Sequence, residues 1–238
     1  MYNYRFIRVI ILLWMWIPLF YGCRKVDIHD PAQHCKILET SDRFFTYDDW
    51  GNPIRCTYKV DPDATGKPTS VFVYNLHHEL IAYSGYNTHR LTLNAKGQAI
   101  LDSLEMNYAG QDDQYVIQLF YDVFGRVSKE ISTHYHSQGE DLPIPYPQEI
   151  SYYIYDRRGN LIRPDTDGIG NLEYDNKTSL LRTHPVLMFV HRDYSLNNPK
   201  GATEYNRAGL PDTWYGTFLG GSGIEVNIIY DCDGRNGK

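Results

Sequence analysis

Tyr121-Asp122-Val123-Phe124-Gly125-Arg126-Val127 is the stretch that decides the fold, because the chain writes it again and again. An aromatic residue or Leu, then Asp or Asn, then a short polar turn begins at residues 47, 74, 93, 121, 155, 174, 205 and 230. Six of these eight copies end in Gly, at 51, 97, 125, 159, 209 and 234; those at Tyr74 and Tyr174 do not. The Asp or Asn side chain can accept a hydrogen bond from the backbone two residues on. Gly three residues later supplies the positive φ of a type I turn followed by a bulge. Tyr115, Ile117, Leu119 and Tyr121 share one face before the turn, and Val127, Ile131 and Tyr135 alternate with polar residues after it. Ile224, Val226, Ile228 and Tyr230 repeat the pattern. Period two means half-buried antiparallel strands. Steps of 19 to 34 residues hold one hairpin each. The expected fold is all-β, an antiparallel meander of about eight hairpins. It is expected to be curled or barrel-like, since a long twisted meander must curl or leave two edges open. Helix is expected only in an N-terminal signal segment and in one turn near Ser179–Leu181.

Residues 1–22 carry Arg5 and Arg8, then an uncharged apolar stretch from Val9 to Gly22. That is the layout of an export signal. The stretch falls short of the roughly 20 apolar residues of a membrane span. It ends at Gly22-Cys23, a small residue directly before Cys, although Phe20 and Tyr21 stand where Leu and a small residue are usual. The expectation is a lipoprotein signal peptide over 1–22 and lipidation at Cys23. A tether over 23–34 and a single β-domain over 35–238 follow it. An uncleaved anchor and a conventional signal peptide are the alternatives. Cleavage removes two of 23 basic residues and none of 29 acidic ones, taking the net charge from −6 to −8. So acidic a chain, without a basic run, argues against nucleic-acid binding.

The turn phrases resemble the YD-repeat, or RHS-repeat, pattern, whose unit reads roughly Y-D-x-x-G-R-L. Tyr121-Asp122-Val123-Phe124-Gly125-Arg126-Val127 and Tyr155-Asp156-Arg157-Arg158-Gly159-Asn160-Leu161 match it closely. The segment Tyr174–Pro199, with Arg182-Thr183-His184-Pro185 and Asp193-Tyr194-Ser195-Leu196-Asn197-Asn198-Pro199, is similar to small YD-repeat-like lipoproteins of Bacteroidota-type bacteria with a porin-like fold. The resemblance implies a cell-envelope location, at the outer membrane, and is silent on activity. Large RHS proteins form closed shells around a toxin; this chain is far too short for that.

Beyond Cys23 there are three cysteines, Cys35, Cys56 and Cys232. Exported compartments permit disulfides, and an odd count leaves one thiol over. Cys35 precedes the first hairpin and Cys232 is placed in the last turn, so a Cys35–Cys232 bridge would tie first strand to last. Cys35–Cys56 and three reduced thiols stay open. His134 and His136 share a strand face, but no carboxylate or Cys at ligand spacing accompanies them in the sequence, and a zinc site needs three or four ligands. His77 and His78 point to opposite faces. Asp165 and Asp167 lie in a weak calcium-like loop without the third acidic position or the bidentate Glu. His184-Pro185 and Asn197-Asn198-Pro199 read as turn chemistry. No nucleophile elbow and no cofactor motif is present. The 21 tyrosines fit sheet packing, and equally a glycan-stacking surface. The functional expectation is a membrane-tethered, non-enzymatic envelope protein with a binding or scaffold role. Its partners would be the lipid membrane through acylated Cys23 and an envelope protein or glycan. A barrel-type binder of a small apolar or sugar ligand is the alternative, and an uncharacterised hydrolase the second.

Overall fold

The computed structural model describes residues 35–59, 69–85, 87–108, 111–137, 144–162, 173–216 and 224–232. Cys23, Asp165, Asp167, Gly234 and the whole signal segment lie outside the described residues. The chain is all-β. Fourteen strands form one antiparallel sheet. Its first arm runs β1 (Cys35–Thr40), β2 (Arg43–Tyr47), β3 (Pro53–Tyr58), β4 (Ser70–Tyr74), β5 (Leu80–Ser84), β6 (Thr88–Leu93), β7 (Ala99–Tyr108), β8 (Gln111–Tyr121) and β9 (Val127–Ser137). The short strands β10 (Ile144–Pro145) and β11 (Glu149–Tyr152) both pair with β9. Next come β12 (Ile154–Tyr155) with β13 (Leu161–Ile162), then β14 (Tyr174–Thr178) with β15 (Asn197–Pro199), as two-stranded pairs. Strands β16 (Ala202–Tyr205), β17 (Pro211–Gly216) and β18 (Ile224–Cys232) return to the large sheet, and β18 pairs with β1.

The ends of the chain therefore meet, but in the middle of the sheet. Its edges are β16 on one side and β10 with β11 on the other, so the sheet does not close into a barrel. The expected barrel fails because β17 and β16 continue outward beyond β18 and do not pair with β9. Cys35 and Cys232 face each other in register and are joined by a disulfide. Cys232 lies in strand β18, not in a turn as the sequence suggested.

Six repeat turns share one set of hydrogen bonds. At Asp122 the backbone N–H donates to the Arg126 carbonyl at 2.9 Å, and Gly125 N–H donates to the Asp122 carbonyl at 3.1 Å. The Asp122 carboxylate then accepts from Phe124 N–H at 2.9 Å and Arg126 N–H at 3.0 Å. Asp48, Asn75, Asn94, Asp156 and Asn206 do the same. The fourth residue is in the left-handed region each time, and His78 takes it at φ 61 where the other five turns have Gly. The Tyr174 copy is different. It forms strand β14, and Asp175 is spent on internal ties.

The repeat Tyr has a second task that the sequence did not announce. In four copies its hydroxyl donates to the carbonyl of the first residue of a preceding strand. Tyr74 reaches Pro53, Tyr121 reaches Ala99, Tyr174 reaches Leu161 and Tyr230 reaches Pro211, all at 2.7–2.8 Å. In each case the acceptor lies six residues after the previous repeat's Tyr or Leu. Each phenol thus clamps one hairpin to the one before it, beside the turn.

One face of the large sheet carries Ile37, Phe45, Cys56, Phe72 and Tyr83, all buried. The alternating residues Phe44, Val73 and Ile229 are about half exposed on the other. Covering the buried face are a 3-10 turn (Leu180–Thr183) and a helix, α1 (Pro185–His191), where only one turn near Ser179–Leu181 was expected. Leu180, Val186 and Leu187 complete the main core, which also takes in Trp214 and Ile228. Phe189, Tyr153 and Tyr194 pack on a second patch of Ala99, Leu119 and Val127.

Gly209 isolates the cost of the turn geometry, because a Cβ built there meets no heavy atom within 4 Å while φ is +77°. Gly209→Ala is expected to destabilise the protein by about 1–2 kcal/mol through backbone strain alone. Urea unfolding checks this, and an unchanged midpoint would show that the turn tolerates a side chain.

Candidate functional site

Two clusters of ionisable side chains stand out. The first sits where α1 meets the sheet. Arg192 ends the helix in the left-handed conformation, φ 53, a position that favours Gly or Asn. Its guanidinium explains the exception. Nη2 donates to Asp102 at 2.7 Å, Nε donates to Glu130 at 2.5 Å, and Nη1 donates to the Phe189 carbonyl. Asp102 is fully buried on β7. It also accepts from the Tyr83 hydroxyl at 3.0 Å, and His89 Nδ1 lies 2.9 Å from its other oxygen. Burial alone would raise the Asp102 pKa, but the His89 contact, the Arg192 charge and the Tyr83 hydroxyl outweigh it and hold the carboxyl below its usual range. Tyr153 donates to the second oxygen of Glu130 at 2.7 Å. A carboxylate with every partner in place is fastened, not poised to exchange a proton.

Cavities flank α1. One of about 280 Å³ lies among Arg43, Ser70, Tyr83, His89 and His191. The other, of about 260 Å³, is lined by Leu91, Tyr121, Val186 and Phe189. Both fall below the ~300 Å³ at which small-molecule pockets usually begin.

The helix start is built from a residue pair that reads as a turn in sequence. His184 is the N-cap, its Nδ1 accepting from Val186 N–H at 3.2 Å, and Pro185 occupies the first helical position, where its missing N–H costs nothing. Burial pushes the His184 pKa down to about 4. The ring thus stays neutral at ordinary pH and keeps the lone pair that the cap requires.

The second cluster lies on β8 and β9. His134 and His136 share one face of β9, and Asp113 on β8 stands directly opposite His136 in the register. His136 Nδ1 is 2.6 Å from Asp113 Oδ1, and His134 Nε2 is 3.4 Å from the same oxygen. One ligand atom from each residue lies within 4.8 Å of the others. The expectation that no carboxylate accompanies the two histidines is thus overturned: the carboxylate comes from the neighbouring strand. Nor are the rings simply exposed. His134 is stacked between Tyr115, 4.3 Å centroid to centroid, and Tyr146, 4.8 Å. The His136 contact, first among several, holds the Asp113 carboxyl below its usual range.

Among the other residues singled out in the sequence, Cys35 and Cys232 are bonded, and Cys56 is a buried free thiol whose pKa is pushed up to about 11 by burial. His77 is exposed at the tip of its turn. No described helix is long and apolar enough to cross a membrane. The chain matches no protein-family model, and no curated protein matches it.

Two outcomes test the helix anchorage. Arg192→Met removes the cation between two carboxylates and is expected to cost about 3–5 kcal/mol in urea unfolding. For His184, the folded pKa lies below the unfolded one, so between pH 6.5 and 4 the unfolded chain holds more protons and stability falls as pH falls. The expected loss between pH 7 and pH 4.5 is about 2.5 kcal/mol from this group. His184→Asn keeps a capping oxygen without the titration and should remove that part of the pH slope.

Proposed function

We propose that this protein is a lipoprotein of the bacterial cell envelope, at the outer membrane, that lies on the bilayer by one rim of its sheet and acts as a non-enzymatic scaffold. One observation carries the reading. In an antiparallel meander alternate connections fall at the same end, so the β2–β3, β4–β5, β6–β7, β8–β9 and β16–β17 turns all share one rim. The residues at their tips include Trp50, Leu76, Val123 and Phe124, with exposures of 74%, 95%, 94% and 72%. Cys35, where β1 begins, stands at that same rim. A tether from Cys23 through residues 24–34 would therefore bring the most exposed apolar side chains towards the membrane that holds the lipid. Large apolar residues offered together to solvent mark an interaction surface, and Trp and Phe suit the membrane interface.

The Arg5–Arg8 and Val9–Cys23 signal pattern and the resemblance to YD-repeat lipoproteins support the same reading. The fully partnered Asp102 cluster supports a scaffold role, since its carboxylate is held in place by Tyr83, His89 and Arg192. The scaffold surface we assign is β11, on the open edge beside β9, with Ile150 50% and Tyr152 56% exposed. An unpaired edge can take an added strand from a protein partner.

A fatty-acid probe fed to expressing cells should label wild type and not Cys23→Ala. With the purified full chain, Trp50→Ser combined with Phe124→Ser in the Cys23→Ala background should lower co-flotation with anionic vesicles about tenfold, the equivalent of half a large side chain's burial each. Equal flotation would remove the rim from the proposal while leaving the lipid anchor standing.

A further inference from the structure

We propose that Asp113, His134 and His136 form an open site for a borderline divalent transition metal, zinc in the first instance. The donors are two imidazoles and one carboxylate, a set that suits Zn²⁺ and its transition-metal neighbours; Ca²⁺ and Mg²⁺ prefer oxygen alone. All three project from the end of the β8–β9 pair remote from the Tyr121 turn, where Asp113 opposes His136 one step inside Asp112 opposite Ser137. The ligands thus stand on hydrogen-bonded strands and not on a loop.

The treatment of His134 is the second observation. Tyr115 and Tyr146 hold its ring from both sides with interplanar angles of 3° and 9°. Stacking fixes the ring plane without occupying a ring nitrogen. Nε2 is buried, faces Asp113, and makes no hydrogen bond among the described residues. A buried ring nitrogen left without a hydrogen bond costs stability unless something else fills it. A metal ion does so. Zinc bonds of about 2.0–2.1 Å to N and O place tetrahedral donors roughly 3.4 Å apart. The three donors, within 4.8 Å of one another, need small side-chain rotations to converge, and the His136–Asp113 hydrogen bond gives way to coordination. Three protein ligands leave at least one position open, to be filled by water or by an anionic group of a ligand or partner.

The aromatic rings that face the cluster are those of Tyr115 and Tyr146.

The test uses the full chain, purified in detergent without a polyhistidine tag and stripped with a chelator. Calorimetric titration with zinc chloride should give one ion per chain. His136→Ala and Asp113→Asn should each weaken binding by more than about 100-fold, exceeding what loss of an outer-shell partner costs. His77→Ala, on an exposed turn, should bind like wild type. Cobalt titration should give a visible ligand-field band that both site variants lose. Far-ultraviolet circular dichroism confirms that the variants fold; should Asp113→Asn not fold, His134→Gln serves in its place. Absence of stoichiometric binding, or binding that the site variants leave unchanged, overturns the proposal. Neither result touches the lipid anchor or the rim.

Discussion

The structure depends on one buried guanidinium. A sheet with an apolar face and two open edges needs a cover, and the cover is the segment from β14 through α1 to β15. Its hydrophobic contacts are non-directional and would accept several placements. Arg192 does not. It joins the end of α1 to Asp102 on β7 and Glu130 on β9, 90 and 62 residues away in sequence. Two carboxylates and one cation in a buried position tolerate only the arrangement that pairs them, since an unpaired member would be left with its full desolvation penalty. The pairing also outweighs a left-handed backbone of roughly 1–2 kcal/mol that Gly would have avoided.

The same division between local and distant work runs through the repeat. Asp or Asn closes its own turn. At Tyr74, Tyr121, Tyr174 and Tyr230 the Tyr before it reaches back to the previous hairpin, so there the two-residue phrase builds a unit and also joins it to the last one. Where the meander gives way to the cover, the phrase is put to other use. Asp175 accepts from the Asn198 backbone and from the Tyr205 hydroxyl, tying β14 to β15 and to the hairpin that follows. A turn motif has become a brace because its carboxylate geometry suits either task.

What was legible in the sequence was what is local. Five turns with their glycines at positive φ, and the strand alternation, follow from residues within five positions of each other, whereas the positive φ of His78 was not signalled by any Gly. Helix α1 was not legible, because its cap is His184, outside the usual Ser, Thr, Asp and Asn set, and because Pro185 reads equally as a turn. Barrel closure was misread because curvature alone does not decide which edges meet; the answer lay in β18 returning to β1. The Asp113–His134–His136 trio was within reach. Counting outward from the Tyr121 turn, Phe120 faces Lys129, Gln118 faces Ile131 and Asp113 faces His136. A search for ligands by sequence spacing looks along one strand, whereas a hairpin supplies them across two.

The mid-sheet meeting of the two ends has a mechanical consequence. Cys35 and Cys232 are 197 residues apart in sequence and close the loop that contains the whole domain. In the chain-entropy model such a loop stabilises the fold by about 5 kcal/mol, acting on the unfolded state. The bridge does not secure an edge. It sits at the seam between two arms, β1 to β11 on one side and β18 to β16 on the other, each already stitched by its own hairpins. The seam has no connecting turn of its own, so its strands are held together by ladder hydrogen bonds, the Asn227 N–H donated to the Ser41 hydroxyl, side-chain packing on Ile37 and Ile228, and the disulfide. It is also the place where the N-terminal segment joins the domain. Load applied through the residues before Cys35 would therefore act first on β1, and the covalent link passes it directly to β18.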